Sequence, residues 1–293
     1  MNVVTRLDFD GVLCAVMLHE METIAEVGFS TPQALEEGQL MDGLKPGDIV
    51  AHLPFHRDAG YWYHNHDTSH LDQAMLANVK GKWGVAPSSS RQIFDHYKSA
   101  KLDKYKPLVE LADKIGTANM TKEDVLTPSA WVKVAYTLDP RFAMDYNYGM
   151  TMMNAIKAGK SPDEILALPQ VARRWQLYQA DEERYQEELK AHTKVFGNVI
   201  LTDFRTLDRA PRGNRFFAFI QYPEGNVHVR LESGAGRRVK VSVSKSIFNK
   251  TCQVDVGKLM EEYGGGGPAG AGTCIIGALT ADEKVMEIIK KLK

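Results

Sequence analysis

Two carboxylates two residues apart, Asp8 and Asp10, stand where a β-rich run ends and a helical one begins. Val3 to Leu7 reads as a short strand, Asp8-Phe9-Asp10-Gly11 as a turn, and Val12 to Glu22 as a helix. Ile24 to Phe29 reads as a second strand. Ile49-Val50-Ala51 reads as a third, entered through the turn Pro46-Gly47-Asp48. This alternation predicts an α/β fold, a parallel sheet with helices on both faces. Ligands of such sheets sit beyond the carboxyl ends of the strands. Asp8, Asp10 and His52 fall at those ends.

From about residue 69 to 196 the pattern is mostly helical. Val171 to Phe196 reads as one long polar helix, with Arg184 and Glu188 spaced to pair and Gly197-Asn198 as its stop. Short β runs follow at Phe216 to Gln221, Val227 to Leu231 and Val239 to Val243. The last helix, Thr280 to Lys293, opens with a capping-box pattern of Thr280 and Glu283. At 293 residues the chain exceeds what one core usually holds. We therefore expect an N-terminal domain over 1–196 and a smaller mixed α/β domain over 197–293.

Composition excludes several classes. With 44% hydrophobic and 25% charged residues the chain is neither disordered nor collagen-like. It has no apolar run of about 18 residues, so no membrane partner is expected. A net charge of -1 argues against a polycation built for duplex DNA. Cys14, Cys252 and Cys274 lie far apart and signal neither a disulfide framework nor a thiolate zinc site. The start of the chain lacks a signal-peptide pattern, and the expected location is cytoplasmic.

Three constellations can carry chemistry. Asp8 and Asp10 offer hard oxygen donors that suit magnesium or manganese. The same letters also fit a haloacid-dehalogenase-type phosphatase, but no late acidic pair supports it; the plain alternative is a solvated acidic turn. Five of the nine histidines, His52, His56, His64, His66 and His70, fall within nineteen positions. An imidazole-rich set suits zinc, nickel or iron, and chance surface histidines are the plain alternative. Third, Gly264 to Gly267 runs into Pro268-Ala269-Gly270-Ala271-Gly272. A glycine run can turn backbone N–H groups inward around a phosphate, or it can simply be a tight turn.

Together these segments resemble the DHH phosphoesterase superfamily with its associated C-terminal domain, in the exopolyphosphatase-related branch. The resemblance rests on Thr5-Arg6-Leu7-Asp8-Phe9-Asp10-Gly11, Gly47 to Pro54, Trp62-Tyr63-His64-Asn65-His66, Asp113 to Asn119, and Asp255 to Cys274 with its glycine run. It implies a metal-dependent hydrolase of a phosphodiester, nucleotide or polyphosphate. The departures from that pattern are specific. His52 and His64 stand where aspartates are common, Asn65 replaces a metal-binding histidine, Gly116 replaces an aspartate, and Pro268 replaces a histidine.

The resemblance therefore implies one divalent metal rather than two, manganese by likeness, on Asp8, Asp10, His52 and His64. Asp10 and His66 are the expected catalytic pair. Substrate is expected at Arg6, His66, Gly264, Gly265, Gly266 and Gly267. The expected partner is a phosphate-containing small molecule or short oligonucleotide, and a homodimer is open. The alternative is a non-catalytic phosphate or nucleotide binder on the same scaffold, with Arg212, Arg215, Lys245 and Lys250 as candidates for a basic lining.

Overall fold

The structure is a computed structural model, and it describes residues 1–38, 44–139 and 144–293. Contacts divide the chain into two units. Met1–Asn119 with Pro128–Trp175 forms one, and Met120–Thr127 with Gln176–Lys293 the other.

The first unit holds five parallel strands: β1 (Val3–Arg6), β2 (Val27–Ser30), β3 (Ile49–Ala51), β4 (Tyr61–Tyr63) and β5 (Lys80–Lys82). Their order is β2-β1-β3-β4-β5. The direction of winding reverses between β1 and β3, and open α/β sheets bind ligands at that reversal. Helices α1 (Phe9–Met21), α2 (Pro32–Glu36), α3 (Gln73–Leu76), α4 (Ser89–Tyr97) and α5 (Lys106–Gly116) follow the strands. On one face α1 packs against α4 and α5 through Val12, Met17, Ile93 and Val109. On the other, Leu35 and Leu76 pack on Val50 and Trp62. The sheet is thus covered on both sides, which the unbroken burial of β3 requires.

Helix α1 is apolar nearly all round because it lies inside the unit: Phe9 and Gly11 to Leu18 are all buried. Asp8 caps it, accepting a hydrogen bond from the Gly11 N–H at 2.9 Å. A Cβ on Gly11 would overlap the Arg6 carbonyl oxygen. Gly11→Ala should therefore lower stability by about 3 kcal/mol, at the upper end of overpacking effects, read as a shift in the denaturant midpoint at unchanged slope.

Between and beyond these lie α6 (Lys122–Leu126), α7 (Ala130–Thr137), α8 (Tyr146–Lys157), α9 (Pro162–Leu166) and α10 (Pro169–His192). The division between units falls inside α10. In the second unit β6 (Thr193–Phe196), β7 (Val199–Asp203), β8 (Val227–Gly234), β9 (Arg238–Lys245) and β10 (Ala271–Gly277) form a mixed sheet, with β7 and β8 parallel and the other pairs antiparallel. Helices α11 (Phe217–Gln221), α12 (Val256–Glu261) and α13 (Ala281–Leu292) complete it. Val229, Val241, Met260, Cys274 and Ile288 share its core.

Several local expectations are corrected. The long helix ends at His192, because Thr193 to Phe196 pairs with β7 as a strand. Phe216 to Gln221 is not a strand. Phe217–Gln221 is a helical turn that buries Phe217, Ala218 and Phe219, so its apolar run serves a core rather than a ladder. Glu188 pairs with His192 at 3.4 Å, one turn on, and not with Arg184. Thr280 makes no side-chain cap, since a 3₁₀ turn over Ala278–Thr280 leads directly into α13. No helix among the described residues is long and apolar enough to cross a membrane.

Candidate active site

The carboxyl ends of β1 and β3 bring Asp8, Asp10 and His52 into contact. His52 Nε2 lies 3.2 Å from Asp8 Oδ2, and His52 Nδ1 lies 3.1 Å from Asp10 Oδ2. His52 holds this place with φ of 54°, a left-handed conformation that few residues other than glycine adopt. The Arg6 guanidinium reaches Asp8 Oδ2 at 3.2 Å and remains partly exposed. Burial pushes the His52 imidazole down, but Asp8 and Asp10 more than offset it and hold it at about 9. Burial likewise pushes Asp8 up, and His52, Arg6 and the Gly11 N–H together bring it below the usual carboxylate range.

The N-terminus of α4 completes the cluster. Ser89 and Ser90 donate their backbone N–H groups to the two oxygens of Asp10, at 2.8 and 2.9 Å. An anion at a helix start is favoured by the unpaired N–H groups and the helix dipole. Ser89 Oγ donates to Asn65 Oδ1 at 2.9 Å, so it accepts from His52 Nδ1–H at 3.0 Å. That chain keeps a proton on Nδ1 whether or not Nε2 also carries one. Ser88 Oγ donates to Asp113 at 2.6 Å, and Asp113 also grips Arg91. Ser88-Ser89-Ser90 after Pro87 is a helix-start pattern that marks this element in the sequence, outside the three constellations above.

The other histidines scatter. His64 stacks on Trp62 with ring centroids 5.1 Å apart and lies 5.1 Å from the His66 ring. Its Nδ1 is buried without a hydrogen-bond partner, and burial holds the ring at about 4. His66 is exposed. Desolvation and the His52 and Arg6 charges lower its affinity for a proton, while Asp10 acts the other way. His56 pairs with Asp58, and His70 is exposed. Gly116 ends α5, and a Cβ there would overlap the Pro87 carbonyl oxygen, so no aspartate fits at that position.

These contacts decide how many cations the residues fit. No group of three His, Cys, Asp or Glu side chains among the described residues is arranged to hold a metal ion, and the expected four-donor set with His64 is not assembled. Asp10 has both oxygens engaged by amides. What remains is Asp8 Oδ2 facing His52 Nε2. With Nδ1 carrying its proton, a lone pair on Nε2 would face a carboxylate oxygen, so a positive charge must lie between them. A proton fills that role, and one divalent cation fits the same two donors, its histidine oriented through the other ring nitrogen. The two compete, so Mn²⁺ affinity should rise with pH from 6 to 9 and saturate at no more than one ion per chain, read by Mn²⁺ paramagnetic resonance.

The second unit carries a pocket of about 360 Å³ lined by Tyr185, Arg215, His228, Arg230, Ser242, Ser244, Gly266, Gly267, Pro268 and Thr273. The glycine run forms part of its wall, but not as a four-amide cradle. Gly264 and Gly265 donate to the Glu261 and Met260 carbonyls, ending α12, and Gly266 exchanges two hydrogen bonds with Thr273. The glycines serve close approach instead. Gly264 has φ of 74°, and a Cβ on Gly265 or Gly267 would overlap the chain at Thr273 or Ala271. Arg212, Lys245 and Lys250 do not line the pocket.

His228 is buried on the pocket floor, its Nε2 2.8 Å from Thr202 Oγ1, which is 2.7 Å from Thr193 Oγ1. Burial pushes it down to about 3. The unfolded chain binds this proton from about pH 6.5 downward and the native state does not, so stability should fall on acidification between those values. The slope is about 1.4 kcal/mol per pH unit for each such group. Denaturant midpoints from pH 7 to 4 test it, and His228→Gln should flatten the curve.

A parallel sheet wound as β2-β1-β3-β4-β5, with an acidic pair at its reversal, is followed by a mixed-sheet unit carrying a glycine-walled pocket. The chain belongs to the DHH phosphoesterase superfamily. It is 30% identical to the pGpG-specific phosphodiesterase PggH of Vibrio cholerae, over 99% of this chain and 98% of that one, with a TM-score of 0.83. More distant chains share the fold. An exopolyphosphatase-related protein from Bacteroides fragilis is 11% identical over 99% of this chain and 90% of its own, with a TM-score of 0.51. RecJ of Thermus thermophilus in complex with Mn²⁺ is 11% identical over 98% of this chain and 51% of its own, with a TM-score of 0.56. No family model matches the sequence, and no curated protein matches it significantly.

Proposed function

We propose that the protein is a phosphodiesterase that cleaves short linear dinucleotides of the pGpG type. The observation that carries this reading is the full-length likeness to a pGpG-specific phosphodiesterase. A charged cluster of Asp8, Asp10 and His52 at the strand ends of the first unit supports it.

In this reading Asp8 and His52 would hold one divalent cation, manganese by likeness, which when bound supplies charge to draw electron density from the phosphoryl oxygens and lower the pKa of a coordinated water. The rest falls to the chain's own side chains. Asp10, fixed by the Ser89 and Ser90 amides, keeps His52 in register. Arg6, partly exposed beside Asp8, supplies a cation for the phosphoryl oxygens. His66, exposed and inclined to stay neutral, would exchange a proton with the leaving oxygen.

The test is a substrate panel with the purified chain and Mn²⁺: pGpG, the corresponding cyclic dinucleotide, a 10-mer oligonucleotide and polyphosphate. The reading predicts that pGpG is converted to GMP at least tenfold faster than the others. Equal or faster release of phosphate from polyphosphate would overturn it. A chain that binds pGpG without turning it over would favour the binding-protein alternative.

A further inference from the structure

The end of β4 and the start of α4 meet behind His52. The His52 N–H donates to the Tyr63 carbonyl at 3.0 Å, which carries the β3–β4 ladder one residue past the strand. Asn65 follows β4 with only 6% of its surface exposed, and Ser89, the first residue of α4, is fully buried. A buried amide and a buried hydroxyl are costly unless their polar atoms are paired, so their partners can be followed atom by atom.

Asn65 Nδ2 faces the Ala86 carbonyl oxygen at 3.5 Å. A carbonyl only accepts, so the amide is oriented with Oδ1 toward Ser89 Oγ, 2.9 Å away. Oδ1 carries no proton, and the serine hydroxyl must donate to it. The lone pairs of Ser89 Oγ are left for His52 Nδ1 at 3.0 Å. Asp10 Oδ2, 3.1 Å from the same nitrogen, also accepts. Both partners of Nδ1 are therefore acceptors, and Nε2 is the nitrogen whose lone pair is available on the Asp8 side. Without Asn65 the serine hydroxyl would be free to turn its proton toward Asp10 or His52. The choice between the two ring nitrogens would then be lost.

We propose that Asn65 is a positioning residue, which acts through the Ser89 hydroxyl to hold His52 with Nε2 presented to the cation. It touches neither the cation nor the substrate. This rests on the reading of Asp8 and His52 as the cation's two donors. A buried asparagine can also serve merely to tie its own loop, and the Asn65 carbonyl does accept from the Ala86 N–H at 3.0 Å. The two roles differ in their coupling. A loop tie acts whatever stands at position 89, whereas a positioning residue acts only through that hydroxyl.

The test compares Asn65→Leu, Ser89→Ala and the double variant of the full-length protein. Ser89→Ala removes the hydroxyl and keeps the N–H that Asp10 accepts. Each single change should weaken Mn²⁺ binding about tenfold, read by paramagnetic resonance. The double variant should be no weaker than either, because both changes break one chain. In the metal-free protein with nitrogen-labelled histidine, the His52 Nδ1–H resonance should be protected from exchange with water. It is identified by its loss in His52→Gln, and both single variants should shift it and remove the protection. Thermal melts confirm folding, and Asn65→Ala replaces Asn65→Leu if the latter does not fold. Unchanged Mn²⁺ affinity in Ser89→Ala, or an unmoved ring resonance in either single variant, would overturn the assignment. So would a double variant weakened about a hundredfold, the product of independent effects. If the wild type binds no Mn²⁺, the reading of Asp8 and His52 as cation donors falls, and the ring resonance alone upholds or overturns the hold of Asn65 on His52.

Discussion

Asparagine at position 8 should lower pGpG hydrolysis by roughly three decades, about 4 kcal/mol of transition-state stabilisation, and leave the protein folded. The two oxygens of Asp8 have separate tasks. Oδ1 accepts the Gly11 N–H and caps α1, which the asparagine oxygen can still do. Oδ2 carries the negative charge that faces His52 and Arg6, and the substitution removes it. The helix start survives while the electrostatics of the pocket do not. Steady-state rates with Mn²⁺, alongside circular dichroism melts, check both halves. Activity within tenfold of wild type in a folded Asp8→Asn protein would remove this pocket from the chemistry.

The second large effect concerns His52. Replacing it with aspartate should raise Mn²⁺ affinity about a hundredfold and lower the stability of the metal-free protein by about 2 kcal/mol. His52 now supplies the positive charge that balances Asp8 and Asp10, so a third carboxylate there makes the pocket strongly anionic and hungry for a cation. The backbone permits the change, since aspartate is among the residues that best tolerate a φ near 54°. Gly116→Asp is a different case. Its side chain would overlap the Pro87 carbonyl and disturb the loop that feeds Ser88 and Ser89 into the site. A multiple reversion toward the family's usual ligands should thus recover one cation site, not two. Calorimetric titration of Mn²⁺ into wild type and His52→Asp measures the difference directly.

Much of the N-terminal half was legible because its signals are local. A β run closed by Asp8-Phe9-Asp10-Gly11 has few ways to fold, and the structure places the strand at Val3–Arg6 and the helix at Phe9–Met21. The alternation of Val227, Val229 and Leu231 likewise marked a strand whose other face had to be polar. The His228 and Arg230 face follows from that same alternation, but the residues beside it lie on strands distant in sequence, which no local pattern reveals. Phe216 to Gln221 misled because a short apolar run has no period that separates a strand from a buried helical turn. His64 misled for a different reason. The resemblance puts His64 in the metal set by its place in the signature, whereas the chain turns it onto Trp62. The glycine run fits an amide cradle or a tight turn equally as a local pattern, because where its N–H groups point depends on the Thr273 strand edge.

In the proposed function this chain keeps a phosphodiesterase site built on Asp8 and His52 with room for one cation. The most direct measurement titrates Mn²⁺ into the metal-stripped protein at fixed pGpG, following bound metal by paramagnetic resonance and GMP release in the same samples. GMP release should rise and saturate together with a single bound ion per chain, and both should be lost in Asp8→Asn. Two spin-coupled ions per chain at saturation, or GMP release that persists in Asp8→Asn, would contradict it.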